Sequence, residues 1–267
     1  MKRMAWKKRI LFLLLCVLFA GTAFAPTRTM AAAKSSKKVS VSKKKPFNGW
    51  YTFPSGKKRY YRRGKYLTGL KKVHEKTYLF NIRGVRLTGT QKVGRKIYYL
   101  NEKGVLQVKK LGNNYYYANG KRLPETEARN FAVMERAREI VAQITNNQMS
   151  DSYKLKVCFD WVIRKPYVTR RQFSNFEGWP AVYADDHFLL GGGNCFSDAA
   201  AFAYLAKAVG YKNVNVCVDS KGQGGHAWAE VNGLCYDPLF AEAKNYAQYF
   251  GTRYGVYPLS AILRIPV

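Results

Sequence analysis

Four glycines, Gly64, Gly84, Gly104 and Gly120, each follow a short aromatic run: Tyr60-Tyr61, Tyr78-Leu79-Phe80, Tyr98-Tyr99 and Tyr116-Tyr117. Their spacings are 20, 20 and 16 residues. Units this short cannot each bury an apolar face alone, so they must stack on one another. Gly64-Lys65-Tyr66-Leu67-Thr68-Gly69 returns as Gly84-Val85-Arg86-Leu87-Thr88-Gly89, and Gly104-Val105-Leu106 and Gly120-Lys121-Arg122-Leu123 continue the pattern. β-prone aromatics between Asn-x-x-Gly or Asn-Gly turns predict a series of hairpins, and the shorter last step predicts a terminal capping unit.

This segment, residues 47–123, resembles the cell-wall-binding repeats of Gram-positive surface proteins, the group that includes choline-binding and glucan-binding modules. The resemblance implies an all-β, β-solenoid-like targeting module. Choline-binding repeats use tryptophan cages, whereas this segment has only Trp50 and otherwise tyrosine and phenylalanine. Charge points the same way. Residues 46–123 carry 19 Lys and Arg against Glu75 and Glu102, while residues 124–267 are almost neutral. Such a field repels a quaternary ammonium and attracts polyanions such as teichoic acids or anionic glycans, at a strength that salt screens. Tyrosines among lysines also suit single-stranded nucleic acid.

The N-terminus argues against that last partner. Lys2, Arg3, Lys7, Lys8 and Arg9 precede an almost wholly apolar run of 16 residues, and Ala31-Ala32-Ala33 offers a cleavage site. Residues 1–33 therefore read as a secretory signal peptide, with cleavage preferred at Ala33 over Ala25, which Pro26 follows. The apolar run is short of the ~20 residues that a spanning helix needs, so no stable membrane anchor is expected after cleavage. Residues 34–46 are basic and of low complexity, a linker without core-forming side chains.

In the second half, Gly192-Gly193-Asn194-Cys195 opens the apolar stretch Phe196, Ala199, Ala200, Phe202, Ala203, Leu205 and Ala206, which predicts a buried helix ending at Gly210. A thiol at a helix N-terminus faces unpaired N–H groups and the positive dipole end, which favour thiolate. Further on, His226 begins an alternating run to Val231 that reads as a half-buried strand. Asn232-Gly233 is a turn signal, and Leu234-Cys235-Tyr236-Asp237 reads as the return strand, which places Asp237 near His226. Nucleophile, base and orienting carboxylate would then be assembled. Asp198 reads as a first-turn carboxylate on the helix dipole, and His187, in an irregular Tyr183–Leu190 stretch, as a cleft or solvent residue. Upstream, a helix is expected over Glu125–Asn147, and a second from Asp151, capped by Ser150, to about Arg164.

Gly193-Asn194-Cys195, Gly225-His226-Ala227-Trp228-Ala229-Glu230-Val231 and Tyr236-Asp237-Pro238 together resemble the bacterial transglutaminase-like superfamily. Phe159-Asp160-Trp161-Val162 before Pro166-Tyr167 is similar to its entry helix, so the likeness covers about residues 126–240. It implies a papain-type fold with Cys195 as nucleophile, His226 as base and acid, and Asp237 as orienter. The fold class expected is therefore α+β, a papain-like transglutaminase-core domain over 124–267 preceded by the hairpin repeats. No glutamine stands shortly before Cys195 to donate to an oxyanion, which leaves Trp179, Tyr183 or another group for that role.

The function expected is that of an exported, cell-wall-associated thiol enzyme, an acyltransferase, amidase or peptidase acting on amide bonds of peptides or surface proteins. The alternative is a non-catalytic wall-binding adhesin whose papain-like domain only recognises a partner. Neither cofactor nor metal is expected. Cys16 leaves with the signal peptide, Cys158 reads as a helix-core thiol, and Cys217 with Cys235 is the one conceivable disulfide, with free thiols preferred.

Overall fold

The computed structural model describes residues 47–221 and 224–267. The expected signal peptide and linker lie outside these residues, as do Gly222 and Gln223. Nine short strands come first: β1 (Gly49–Thr52), β2 (Lys58–Arg62), β3 (Lys65–Tyr66), β4 (Gly69–Val73), β5 (Lys76–Phe80), β6 (Gly89–Val93), β7 (Lys96–Leu100), β8 (Leu106–Leu111) and β9 (Asn114–Tyr117). Four helices follow: α1 (Glu125–Ile144), α2 (Asp151–Ile163), α3 (Trp179–Leu190) and α4 (Cys195–Val209). The chain ends with β10 (Val214–Val218), β11 (Ala227–Val231), β12 (Leu234–Tyr236), α5 (Pro238–Ala243), α6 (Tyr246–Tyr249), β13 (Phe250–Arg253) and β14 (Leu263–Pro266). The described part is thus a mixture of helices and antiparallel sheets.

Each aromatic run falls on a strand, in β2, β5, β7 and β9. The hairpins form sheets of order β1-β2-β3 and β4-β5, and the last units merge into a four-stranded sheet, β6-β7-β8-β9. Successive units touch through the main chain: Arg86 N–H donates to Lys58 O at 2.8 Å, and Tyr78 bridges Val105. All four recurring glycines have positive φ, 78° at Gly64, 73° at Gly84, 73° at Gly104 and 92° at Gly120, which favours glycine, and at Gly84 stacking adds a second reason. A Cβ at Gly84 would lie 2.3 Å from the Tyr66 ring of the preceding unit.

The end of the series is docked on α1. Tyr99 and Tyr115 pack against Phe131 with ring centroids 5.0 and 5.9 Å away, and share a small core with Val108 and Leu123. Glu135 of α1 accepts hydrogen bonds from the Tyr99 hydroxyl, from the Tyr115 hydroxyl at 2.6 Å and from Lys110 Nζ at 2.5 Å. Burial pushes the Glu135 carboxyl up, but these three donors outweigh it and hold the group below its ordinary range. Glu135→Ala would leave two hydroxyls and an ammonium without their acceptor. It is expected to cost about 2–3 kcal/mol and to lower the melting temperature in calorimetry, with Glu135→Gln closer to wild type. An unchanged melting temperature would show the cluster to be incidental.

In the C-terminal half the core is built around α4, which packs on α1, α2 and α3 on one side and on β10 and β11 on the other. Ala199, Ala200, Ala201, Ala203 and Ala206 are fully buried and let these neighbours approach closely. The sheet is antiparallel, of order β13-β12-β11-β10-β14. β11, expected half-buried, is buried at all five positions. The reason is its place in the middle of the sheet, with α4 against it and the Tyr257 ring 4.9 Å from Trp228. The stretch expected to be irregular, Tyr183–Leu190, is part of α3, which runs between left-handed Gly178 and Gly191 with Pro180 in its first turn. The β11–β12 turn has φ of +51° at Asn232 and +82° at Gly233, as the Asn-Gly signal requires.

Candidate active site

α4 begins at Cys195 because Asn194 caps it: Asn194 Oδ1 accepts the Ser197 N–H at 3.2 Å, and Nδ2 donates to Arg171 O at 3.3 Å. Gly193 is packed so tightly that a Cβ would stand 2.2 Å from Ser197 Cβ, and its carbonyl accepts the Val168 N–H at 2.8 Å. The thiol therefore occupies a held position in the first helical turn, 7% exposed, beside backbone N–H groups that have no intrahelical partner.

His226 lies one residue before β11. Its backbone N–H donates to Asp219 Oδ1 at 2.6 Å, and its ring stacks on Phe240 at 4.2 Å and 13°. Nε2 meets Asp237 Oδ2 at 2.7 Å, and the Cys195 side chain is the ring's other polar neighbour. Burial works against a charge on this imidazole more than any other single influence, yet Asp237 and Cys195 together outweigh it and raise the pKa to about 9.

Asp237 is fully buried, and both of its oxygens are occupied. As N-cap of α5 it accepts the Phe240 N–H on Oδ1 at 3.0 Å, the role that the Asp-Pro pair implies. On Oδ2 it accepts the Tyr257 hydroxyl at 2.7 Å as well as His226. The three residues singled out in the sequence, Cys195, His226 and Asp237, thus come together. Phe240 and Tyr257 were not foreseen. Phe240 follows from the helix that Asp237 caps, but Tyr257 stands 20 residues beyond Asp237 with no motif around it.

The rival residues form a separate pair. His187, placed at a cleft or in solvent by the sequence, is instead fully buried on α3 with Nδ1 2.8 Å from Asp198 Oδ1. Burial lifts the Asp198 carboxyl to about 6 against the opposing pull of His187. His187 Nε2 has no hydrogen-bond partner, and its ring lies 5.6 Å from that of Trp161. Asp198 therefore serves a buried pair and not the helix dipole alone. Tyr183 donates its hydroxyl to Gln172 O at 2.8 Å, so it is already engaged. Trp179 is buried with Nε1 unpartnered, its ring edge-on to Phe173.

Cys158, Cys195, Cys217 and Cys235 are free thiols. Burial raises Cys158 and Cys217 to about 12 and Cys235 to about 11. Cys217 and Cys235 lie on β10 and β12 with β11 between them. Two strand spacings, roughly 9.6 Å, exceed the ~7 Å that a disulfide can bridge. Three open cavities, about 610 Å³ between β9 and α1, about 630 Å³ on the repeats and about 400 Å³ between α1 and the end of α4, are lined by residues other than Cys195, His226 and Asp237. Among the described residues no cluster of three or more His, Cys, Asp or Glu could hold a metal ion, and no helix is long and apolar enough to cross a membrane.

No protein-family model matches the chain, and no curated protein matches it. Its neighbours among solved structures are similar over a part of the chain only. Alternansucrase in complex with isomaltononaose is 24% identical over 28% of this chain and 6% of its own, with a TM-score of 0.23. CbpF in complex with ipratropium is 31% identical over 29% of this chain and 27% of its own, also at 0.23. The choline binding domain of Spr1274 in Streptococcus pneumoniae is 32% identical over 24% of this chain and 97% of its own, at 0.22. The chain thus spans about a quarter or less of the length of the first two.

Proposed function

We propose that this chain is a transglutaminase-like thiol enzyme that acts on amide bonds and is held at the cell wall by its hairpin repeats. The observation that carries the catalytic reading is the single imidazole shared between Cys195 and a buried Asp237, with the thiol at the start of α4. The chemistry is acyl transfer. The Cys195 sulfur bonds to the amide carbonyl carbon, the imidazolium of His226 gives its proton to the departing ammonia or amine, and a thioester forms. Neutral His226 then takes a proton from water or a second amine, which attacks the thioester and releases the thiolate. Asp237 keeps the ring aimed through both steps.

The test is to incubate the full chain with glutamine-containing peptides, with and without a primary amine. Ammonia or amine release should depend on Cys195, and the peptide should be trapped on Cys195 as a thioester visible by mass spectrometry. No trapped acyl group and no release beyond that of Cys195→Ala would defeat the reading.

For the repeats, the supporting observation is how the rings are used. The Arg59 guanidinium lies 4.9 Å from the centroids of both Phe53 and Tyr66, and that of Arg86 lies 5.8 Å from Trp50. These ring faces already hold cations of the chain itself, and the excess of Lys and Arg favours a polyanion. Binding to teichoic-acid-bearing wall is expected to weaken steeply between low and physiological salt and to be unaffected by millimolar choline. Elution by choline at constant salt would overturn this.

A further inference from the structure

We propose that Tyr257 is a positioning residue of the site, the donor that fixes the aim of Asp237, an inference that rests on the catalytic reading above. Its hydroxyl reaches the same carboxylate oxygen as His226 Nε2, each at 2.7 Å. With the Phe240 N–H on the other oxygen, Asp237 accepts three donors and is locked against rotation. Tyr257 is itself held firmly. Its N–H donates to Arg253 O at 3.0 Å, and its buried ring lies 4.9 Å from that of Trp228 and 6.1 Å from that of Tyr249. Burial first, and then the Asp237 charge, push the phenol far above its ordinary range, so the hydroxyl remains a donor.

A carboxylate oxygen that serves two donors attracts each less strongly than one that serves a single donor. Tyr257 therefore restrains Asp237 from holding the His226 proton too tightly. The other groups around His226 are Cys195 from α4, Asp219 beyond the end of β10, and Phe240 from α5 with Lys244 Nζ 3.3 Å from its ring centroid. None of these is altered by removing the Tyr257 hydroxyl.

The experiment is the pH profile of Cys195 carboxymethylation by iodoacetate in the full chain, read on the Cys195 peptide by mass spectrometry. This anionic reagent is attracted by the imidazolium, so its rate falls as His226 loses its proton. In wild type that upper limb is expected near pH 9. In Tyr257→Phe it should move up by on the order of half a pH unit. Tyr254→Phe is the control: that hydroxyl is 3.3 Å from Trp228 Nε1 and 3.6 Å from Cys217 Sγ, in the same turn but away from Asp237, and its loss should leave the limb in place. A limb that stays put in Tyr257→Phe, or that moves equally in both variants, overturns the proposal. Should Tyr257→Phe fail to fold, 3-fluorotyrosine at position 257, a stronger donor of nearly the same shape, must move the limb down, and an unmoved limb is again fatal. A wild-type chain that labels like an ordinary thiol, with no upper limb, overturns the catalytic reading and this inference together.

Discussion

His226→Ala is expected to slow alkylation of Cys195 by iodoacetamide at pH 6.5 by about one to two orders of magnitude. An unassisted thiol is roughly 1% thiolate two units below its pKa of ~8.5. In the wild type the neighbouring imidazole keeps its proton up to about pH 9, so the counter-charge that a thiolate needs is present across the whole neutral range. The sign follows from the partners. Asp237 and Cys195 both favour the charged ring, and together they exceed the burial that opposes it. The three other cysteines of the described residues are internal controls, because each is fully buried. They should label slowly in both proteins, and peptide mapping separates them from Cys195. Equal rates at Cys195 in wild type and His226→Ala would remove the activated nucleophile, and with it the case for acyl transfer. Asp237→Asn should lie between the two: the buried carboxylate is lost, but its oxygen can still accept the ring N–H.

What could be read from the residues was whatever local geometry dictates. Gly192-Gly193-Asn194-Cys195 announces the start of a buried helix that stops at Gly210, and α4 does run from Cys195 to Val209, with Gly210 as its C-cap. Asn232-Gly233 announces a tight turn, and the turn brings Asp237 back alongside His226. The short repeat announces hairpins that stack on one another, and Arg86 of one unit does bond to Lys58 of the unit before it. What stayed hidden depends on contacts distant in sequence. α3 shows no clean periodicity because its apolar residues do not mark its covered face: Trp179, Ala181, Tyr183, Ala184 and His187 are buried, while Leu189 and Leu190 are exposed. His187 reads as polar until Asp198, on the next helix, supplies its partner. Glu135 and Tyr257 are unremarkable letters whose roles arise from Lys110 and Tyr115 in one case and Asp237 in the other.

A core residue outside the triad links the elements that carry its members. Phe159 is fully buried on α2, where its ring meets Phe202 of α4 at 5.0 Å, Tyr236 of β12 at 6.3 Å, Tyr246 of α6 at 5.7 Å and Phe250 of β13 at 5.0 Å. Cys195 is carried by the same helix as Phe202, and Asp237 directly follows Tyr236. One ring thus ties the helix that bears Cys195 to the strand that leads into Asp237. Phe159→Ala leaves a cavity among four aromatic neighbours that cannot all collapse inward, and is expected to cost about 3–5 kcal/mol. Against a total stability of about 5–15 kcal/mol that is a large share, and in a unit of this size it corresponds to a fall in melting temperature on the order of 10 °C. Cys158, the adjacent residue, reports the same event chemically, because burial pushes its thiol up to about 12 and only opening of the core exposes it. Its labelling should accelerate in the variant well below the melting temperature, while Phe159→Leu, which refills most of the space, should recover at least half of the loss. If the melting temperature moves by less than about 2 °C, the ring does not couple α4 to the sheet, and the alignment of Cys195 with Asp237 must come from the alanine-lined contact of α4 with β11 instead.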